Sequence, residues 1–144
     1  MPQVNAYLTF NGNCEEAFLF YRSIFGGEFR TISKFKDIPS MPGHEVSEND
    51  KERILHVALP ISEETILMGS DSNTAYGDVV FGQNISLSVN VAGKGEADKI
   101  FNDLASDGKI TMPLADTFWG AYFGMLIDKF GIAWMINYDH PQQS

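Results

Sequence analysis

The stretch Met112–Tyr138, MPLADTFWGAYFGMLIDKFGIAWMINY, decides how the rest of the chain is read. An aromatic-rich loop, Thr117 to Tyr122, leads into a strand over Phe123–Ile127. The turn Asp128-Lys129-Phe130-Gly131 follows, and then a second strand over Ile132–Tyr138. Asp opening the turn and Gly closing it fit a hairpin built on a type I turn, with Gly131 in the left-handed conformation. The second strand alternates: Ile132, Trp134, Ile136 and Tyr138 share one face, and Ala133, Met135 and Asn137 the other. One face wants a core, and the other is smaller and more polar.

The same alternation recurs upstream. Val4 to Phe10 puts Ala6, Leu8 and Phe10 on one face and Asn5, Tyr7 and Thr9 on the other. Asn13 with Glu16 reads as a capping box, and Cys14, Ala17, Phe18, Tyr21, Ile24 and Phe25 follow at helical spacing up to Gly26-Gly27. Strands are expected over Glu28–Phe35, Arg53–Ile61 and Thr65–Ser70. In the second of these, Leu55, Val57 and Leu59 point to the core, which leaves Ile54, His56 and Ala58 on the opposite face. The segment Lys36–Glu52 has prolines and no period, as expected of a mobile or ligand-facing loop, and Asp71–Gly82 reads as a linker. Asn84–Val91 alternates cleanly, with Ile85, Leu87, Val89 and Val91 opposite Asn84, Ser86, Ser88 and Asn90. A helix over Glu96–Ser106 follows.

These halves repeat. Ala6–Asn11 (AYLTFN) matches Ile85–Asn90 (ISLSVN), and Glu16-Ala17 with Tyr21 matches Glu96-Ala97 with Phe101. The pattern predicts an α+β fold of two βαβββ modules, about 1–72 and 80–144, forming a cupped mixed sheet with helices on the convex side and a shared cleft.

Bulk properties narrow the function classes. A net charge of −9 argues against nucleic acid or an anionic membrane as partner and suits neutral or cationic ligands. The single cysteine excludes an intrachain disulfide and suits a reducing compartment. No apolar run reaches the length of a membrane span, and no basic-then-apolar leader opens the sequence, so a cytoplasmic protein is expected.

Tyr7–Tyr21 (YLTFNGNCEEAFLFY) and Lys109–Asn137 (KITMPLADTFWGAYFGMLIDKFGIAWMIN) resemble the PhnB-like branch of the vicinal oxygen chelate superfamily. That superfamily includes glyoxalase I, extradiol dioxygenases and bleomycin-resistance proteins. The resemblance covers nearly the whole chain and implies a homodimer. In metal-dependent members, four strands supply His or Glu ligands, and the resemblance carries those positions onto Asn5, Met68, Asn84 and Met135. Two amides and two thioethers suit a hard divalent ion poorly, so no metal and no cofactor are expected. Members of the branch are also described as 3-demethylubiquinone methyltransferase-like. The sequence has no Gly-rich strand-to-helix turn followed by an acidic residue for a nucleoside cofactor, and Gly93-Lys94-Gly95 reads as a turn leading into a helix.

The expected function is therefore small-molecule binding, with an aromatic or cationic ligand. Asn5, Asn84, Ser86 and Ser88 would orient it, Tyr7 shares their kind of polar face, and Met68 and Met135 form an adaptable floor. His56 either contacts the ligand or is a satisfied structural histidine, and Trp119 either walls the pocket or fills the core. The rival readings are a metal-dependent lyase, isomerase or dioxygenase, and an interaction module without pocket chemistry. Cys14 reads as a small buried hydrophobe rather than a nucleophile. His44 and His140 are not placed by the pattern.

Overall fold

A computed structural model describes residues 2–38 and 46–141. The chain divides into two compact units, Met1–Val80 and Phe81–Ser144. The first unit runs β1 (Tyr7–Phe10), α1 (Cys14–Phe25), β2 (Thr31–Lys34), β3 (Ile54–Pro60) and β4 (Ile66–Asp71). The second repeats it as β5 (Leu87–Asn90), α2 (Lys94–Ala105), β6 (Lys109–Asp116), β7 (Ala121–Ile127) and β8 (Ala133–Asp139). Each unit is thus βαβββ with its own four-stranded mixed sheet, in the orders β1-β4-β3-β2 and β5-β8-β7-β6. In both, the first strand pairs parallel to the last and the other pairs are antiparallel.

One helix covers one face of each sheet, and a glycine sets how closely it lies. A Cβ on Gly69 in β4 would stand 2.7 Å from the Phe18 ring of α1. A Cβ on Gly124 in β7 would stand 2.8 Å from the Phe101 ring of α2. Around these contacts the apolar stripes of the helices are buried: Cys14, Ala17, Phe18 and Tyr21 on α1, and Ala97, Ile100, Phe101 and Leu104 on α2. The sheets answer with Phe10, Val57, Leu59 and Leu67 in the first unit and Leu126, Trp134 and Ile136 in the second, all buried. Each large apolar side chain so covered contributes about 1.5–3 kcal/mol. Strand alternation then puts the intervening residues on the face the helix leaves free.

A buried carboxylate holds each unit's framework. Asp71, at the end of β4, accepts N–H bonds from Gly12 at 2.8 Å and Cys14 at 3.0 Å through Oδ1, and from Ile54 at 2.9 Å through Oδ2. One side chain thereby closes the start of α1, the start of β3 and the end of β4. Asp128 does the same for the hairpin: Oδ1 accepts from Phe130 at 2.8 Å and Ile132 at 3.0 Å, and Oδ2 from the Trp134 indole N–H at 2.8 Å. Gly131, at φ +91°, takes the left-handed conformation expected of it. Pro113 falls in β6, an edge strand whose pairing with β7 shifts at two places, which is where a sheet tolerates proline.

Several expectations are corrected. Asn13 makes no side-chain cap; Asp71 performs that task from fifty-seven residues away. The register of β3 against β2 shifts between Ser33 and Lys34, so Leu55 is an extra residue and Ile54 turns into the core, fully buried. The alternating Asn84–Val91 stretch is strand only over Leu87–Asn90. Asn84 and Ser86 precede it as exposed residues, and Ile85 is 77% exposed rather than core. Asp71 belongs to a strand instead of a linker, and Ala121 and Tyr122 belong to β7 instead of the loop. The flanks of the Lys36–Glu52 segment are joined, with Lys36 N–H on Lys51 O at 3.1 Å and Glu52 bridging Lys34 and Lys36. Its centre, with His44, lies outside the described residues.

The Asp71 arrangement predicts a large stability loss on substitution. Asp71→Ala leaves three N–H groups without their acceptor and should cost at least about 3 kcal/mol. Asp71→Asn should cost less, because its carbonyl still serves Gly12 and Cys14 while its amide N–H₂ meets Ile54 N–H. Urea unfolding of the three proteins checks the order.

Candidate functional site

With one face of each sheet under a helix, only the other leaves strand side chains free to meet a ligand. In the first unit, Tyr7 pairs across with Met68, Met68 with Ala58, and Ser33 with His56, so all five share the helix-free face. Tyr7 and His56 meet there. The phenol oxygen lies 3.2 Å from His56 Nδ1, and the rings stack at 24° with centroids 5.7 Å apart. Asn5 lies just before β1, one residue ahead of the bond from Met68 N–H to Ala6 O, so it is not a strand position.

In the second unit, Ser88 pairs with Met135 and Met135 with Met125; Asn90 pairs with Asn137 and Asn137 with Phe123. These rows form a half-buried bed of thioethers and one aromatic ring, edged by a hydroxyl and two amides. Asn137 Nδ2 donates to Asn90 Oδ1 at 3.1 Å and to Asp139 Oδ1 at 3.0 Å, which fixes that edge. Trp119 sets its ring against Phe123 at a centroid distance of 6.0 Å and is 57% exposed. The loop presenting it is tied at both ends: Thr117 Oγ1 donates to Ala121 O at 3.0 Å, and His140 N–H donates to Gly120 O at 3.0 Å. Phe118 stands perpendicular to Trp119 and is 97% exposed.

Of the residues expected at a site, Tyr7, His56 and Met68 come together on one face, and Ser88 and Met135 lie on another, with Trp119 set against it at Phe123. Asn5, Asn84 and Ser86 lie off the strands. The register replaces Asn5 by Tyr7 as the partner of Met68, and Asn84 by Ser88 as the partner of Met135. Phe123, Met125, Asn90 and Asn137 were not singled out beforehand, although the period-2 rule applied to β7 places Phe123 and Met125 on one face.

The donor set at the positions assigned to metal ligands is now a phenol and a thioether in one sheet, with the His56 imidazole beside them, and a hydroxyl and a thioether in the other. One imidazole without a carboxylate or a second imidazole does not fit a hard divalent cation. Among the described residues, no three His, Cys, Asp or Glu side chains converge.

Several other ionisable groups lie away from these faces. Burial pushes the Cys14 thiol far above its ordinary range, with the Asp71 carboxylate and Glu15 adding to the effect, so it is a core atom rather than a nucleophile. On the helix side of the second sheet, the Tyr122 phenol donates to Asp98 Oδ1 at 2.5 Å, which raises its pKa. Lys94 Nζ lies 4.6 Å over the same ring. His140 Nε2 sits 2.7 Å from Asp116 Oδ1 and holds that carboxyl below its usual range. Gly93 precedes α2 in extended conformation, which makes Gly93-Lys94-Gly95 the lead into a helix.

The two tryptophans give a direct check on this surface. Trp119 is largely exposed and Trp134 is 1% exposed. Acrylamide should quench the wild-type emission in two components, and Trp119→Phe should leave only a blue-shifted, shielded component at nearly unchanged melting temperature.

Comparison with known proteins agrees with this geometry. The family model described as 3-demethylubiquinone-9 3-methyltransferase matches residues 2–137. Protein YjdN of Escherichia coli K12 is 31% identical over 150 residues, covering 95% of each chain. The crystal structure of PA1353 from Pseudomonas aeruginosa superposes with a TM-score of 0.86 at 40% identity, covering 98% of this chain and all of that one. The PhnB protein of Bacillus cereus, whose proposed activity carries the same methyltransferase name, gives 0.76 at 30% identity over 95% and 99% of the two chains. A glyoxalase/bleomycin resistance protein/dioxygenase family enzyme from Burkholderia phytofirmans shares the fold alone, at 15% identity and a TM-score of 0.59 over 94% of this chain and 99% of that one. The chain belongs to the PhnB-like, 3-demethylubiquinone-9 3-methyltransferase family, on the fold of the glyoxalase and bleomycin-resistance proteins.

Proposed function

We propose that this protein binds a small organic molecule on the helix-free faces of its sheets, without a catalytic metal. The observation that carries the reading is the bed formed by Met125, Met135 and Phe123 beside Ser88, Asn90 and Asn137. It combines adaptable apolar contact with a few fixed hydrogen-bonding groups, the usual composition of a ligand surface. Trp119 extends that bed with an exposed indole, to which an aromatic or cationic group would stack. The net charge of −9 favours a cationic over an anionic ligand approaching the protein as a whole. Two copies of this chain acting as a homodimer in the cytoplasm complete the reading. The family's methyltransferase name does not enter it, because a fold or family name does not by itself carry a mechanism.

The reading is tested with a panel of aromatic amines, aromatic carboxylates and uncharged aromatics, read as shifts in melting temperature. Ligands that stabilise the wild type should lose affinity roughly tenfold in Met135→Ala or Trp119→Ala, while both variants stay folded. Elemental analysis of tag-free protein should find no stoichiometric divalent metal. A panel without a single stabilising compound would leave the interaction-module reading, and near-stoichiometric metal with activation by it would establish the metal-dependent one.

A further inference from the structure

The Tyr7–His56 pair has a chemical consequence for what the first sheet can hold. The Tyr7 phenol oxygen and His56 Nδ1 lie 3.2 Å apart, and which of them donates depends on the imidazole tautomer. A phenol is the better donor and a neutral imidazole nitrogen the better acceptor, which favours Tyr7 O–H donating to Nδ1. A neutral imidazole whose Nδ1 accepts must carry its proton on Nε2. The stacking of the two rings at 24° keeps the imidazole in that orientation. On the face around it, Ser33 lies across from His56, Met68 across from Tyr7, and Thr9 pairs with Ser70. None of these is a carboxylate or an ammonium. Lys34, next to Ser33 in β2, is turned to Glu52, whose hydrogen bond raises its pKa with Glu15 of α1 adding to the effect, and Arg53, just before β3, is turned to Ser72 O.

We propose that His56, its tautomer fixed by Tyr7, is the anchoring donor for a ligand oxygen. The group it takes is a carbonyl or carboxylate oxygen, held by His56 Nε2–H with the thioether of Met68 under the attached apolar part. Ser33 offers a second hydroxyl donor across the strand pair. This rests on the small-molecule reading above and adds a site on the first sheet by itself, which takes an oxygen acceptor rather than an amine, a local preference set against the protein's overall negative charge. A protonated amine would meet Nε2–H donor to donor.

The test uses the intact protein and three probes of similar shape: benzoate, benzamide and benzylamine. Ring-nitrogen NMR of the free protein at alkaline pH should show His56 as the Nε2–H tautomer. Benzoate and benzamide at millimolar concentration should shift the His56 Nε2 signal, and benzylamine should leave it in place. His56→Gln should weaken benzoate roughly tenfold or more, and Tyr7→Phe severalfold, as expected for loss and loosening of one hydrogen bond. An Nδ1–H tautomer, an unmoved His56 signal in saturating benzoate, or equal benzoate affinity in wild type and His56→Gln would each overturn the proposal. Should His56→Gln fail to fold, the two NMR arms on the wild type still decide it. A ligand that binds strongly but ignores His56 would sink this inference alone, leaving the small-molecule reading intact.

Discussion

An aromatic ring laid on a glycine determines which side of each sheet is available for function. Phe18 over Gly69 and Phe101 over Gly124 leave no room for a β-carbon, so each helix lies close against its own sheet. Once that face is taken, the period-2 alternation of the strands hands the other face to Tyr7, His56, Met68 and Ser33 in one unit, and to Ser88, Asn90, Met125, Met135 and Asn137 in the other. The functional reading follows from a packing constraint, because the side chains on the free faces are the ones that packing did not claim.

Two buried carboxylates keep that arrangement in register. Asp71 and Asp128 are nearly inaccessible, yet each is surrounded by three N–H donors, which makes a buried charge tolerable. Each acts where a strand ends and the chain must change direction, so one side chain fixes the helix start and the ends of the two central strands in the first unit, and one fixes the hairpin between the two central strands in the second. The first unit adds a second polar clip: the Asn11 side chain both donates to Val79 O and accepts from Val79 N–H, holding the stretch after β4 to the end of β1. Neither carboxylate is exposed to a ligand, and their role is architectural.

Much of this was legible in the sequence, and the parts that were not share a cause. The Asp128–Gly131 hairpin and the split of Trp134 and Ile136 from Met135 and Asn137 follow from local rules, and the structure has both. The helices were placed within two residues because their apolar stripes are intact. The cap supplied by Asp71 has no local signature, since donor and acceptor are far apart in the chain. The alternation of Asn84–Val91 overstated its strand because a strand needs a partner as well as a pattern. Leu87 pairs with Trp134, the second residue of β8, and little of that strand remains beyond it to pair with Asn84 or Ile85. The same gap affects two residues expected at a site: Asn5 and Asn84 fit the face pattern, but they lie off the strands, and strand pairing puts Tyr7 and Ser88 opposite the methionines. The Tyr7–His56 contact is likewise a product of bringing β1 and β3 to either side of β4.

The central claim, that ligands bind on the helix-free faces, is tested most directly with methyl-labelled methionine. Met68, Met112, Met125 and Met135 all lie in strands on the face opposite the helix, and each gives one NMR signal. Titration with any compound that raises the melting temperature should shift the Met125 and Met135 methyls, or that of Met68, in proportion to occupancy. Shifts confined to probes under α1 and α2, such as the ring protons of Phe18 and Phe101, with all four of these methyls unmoved at saturation, would contradict the account.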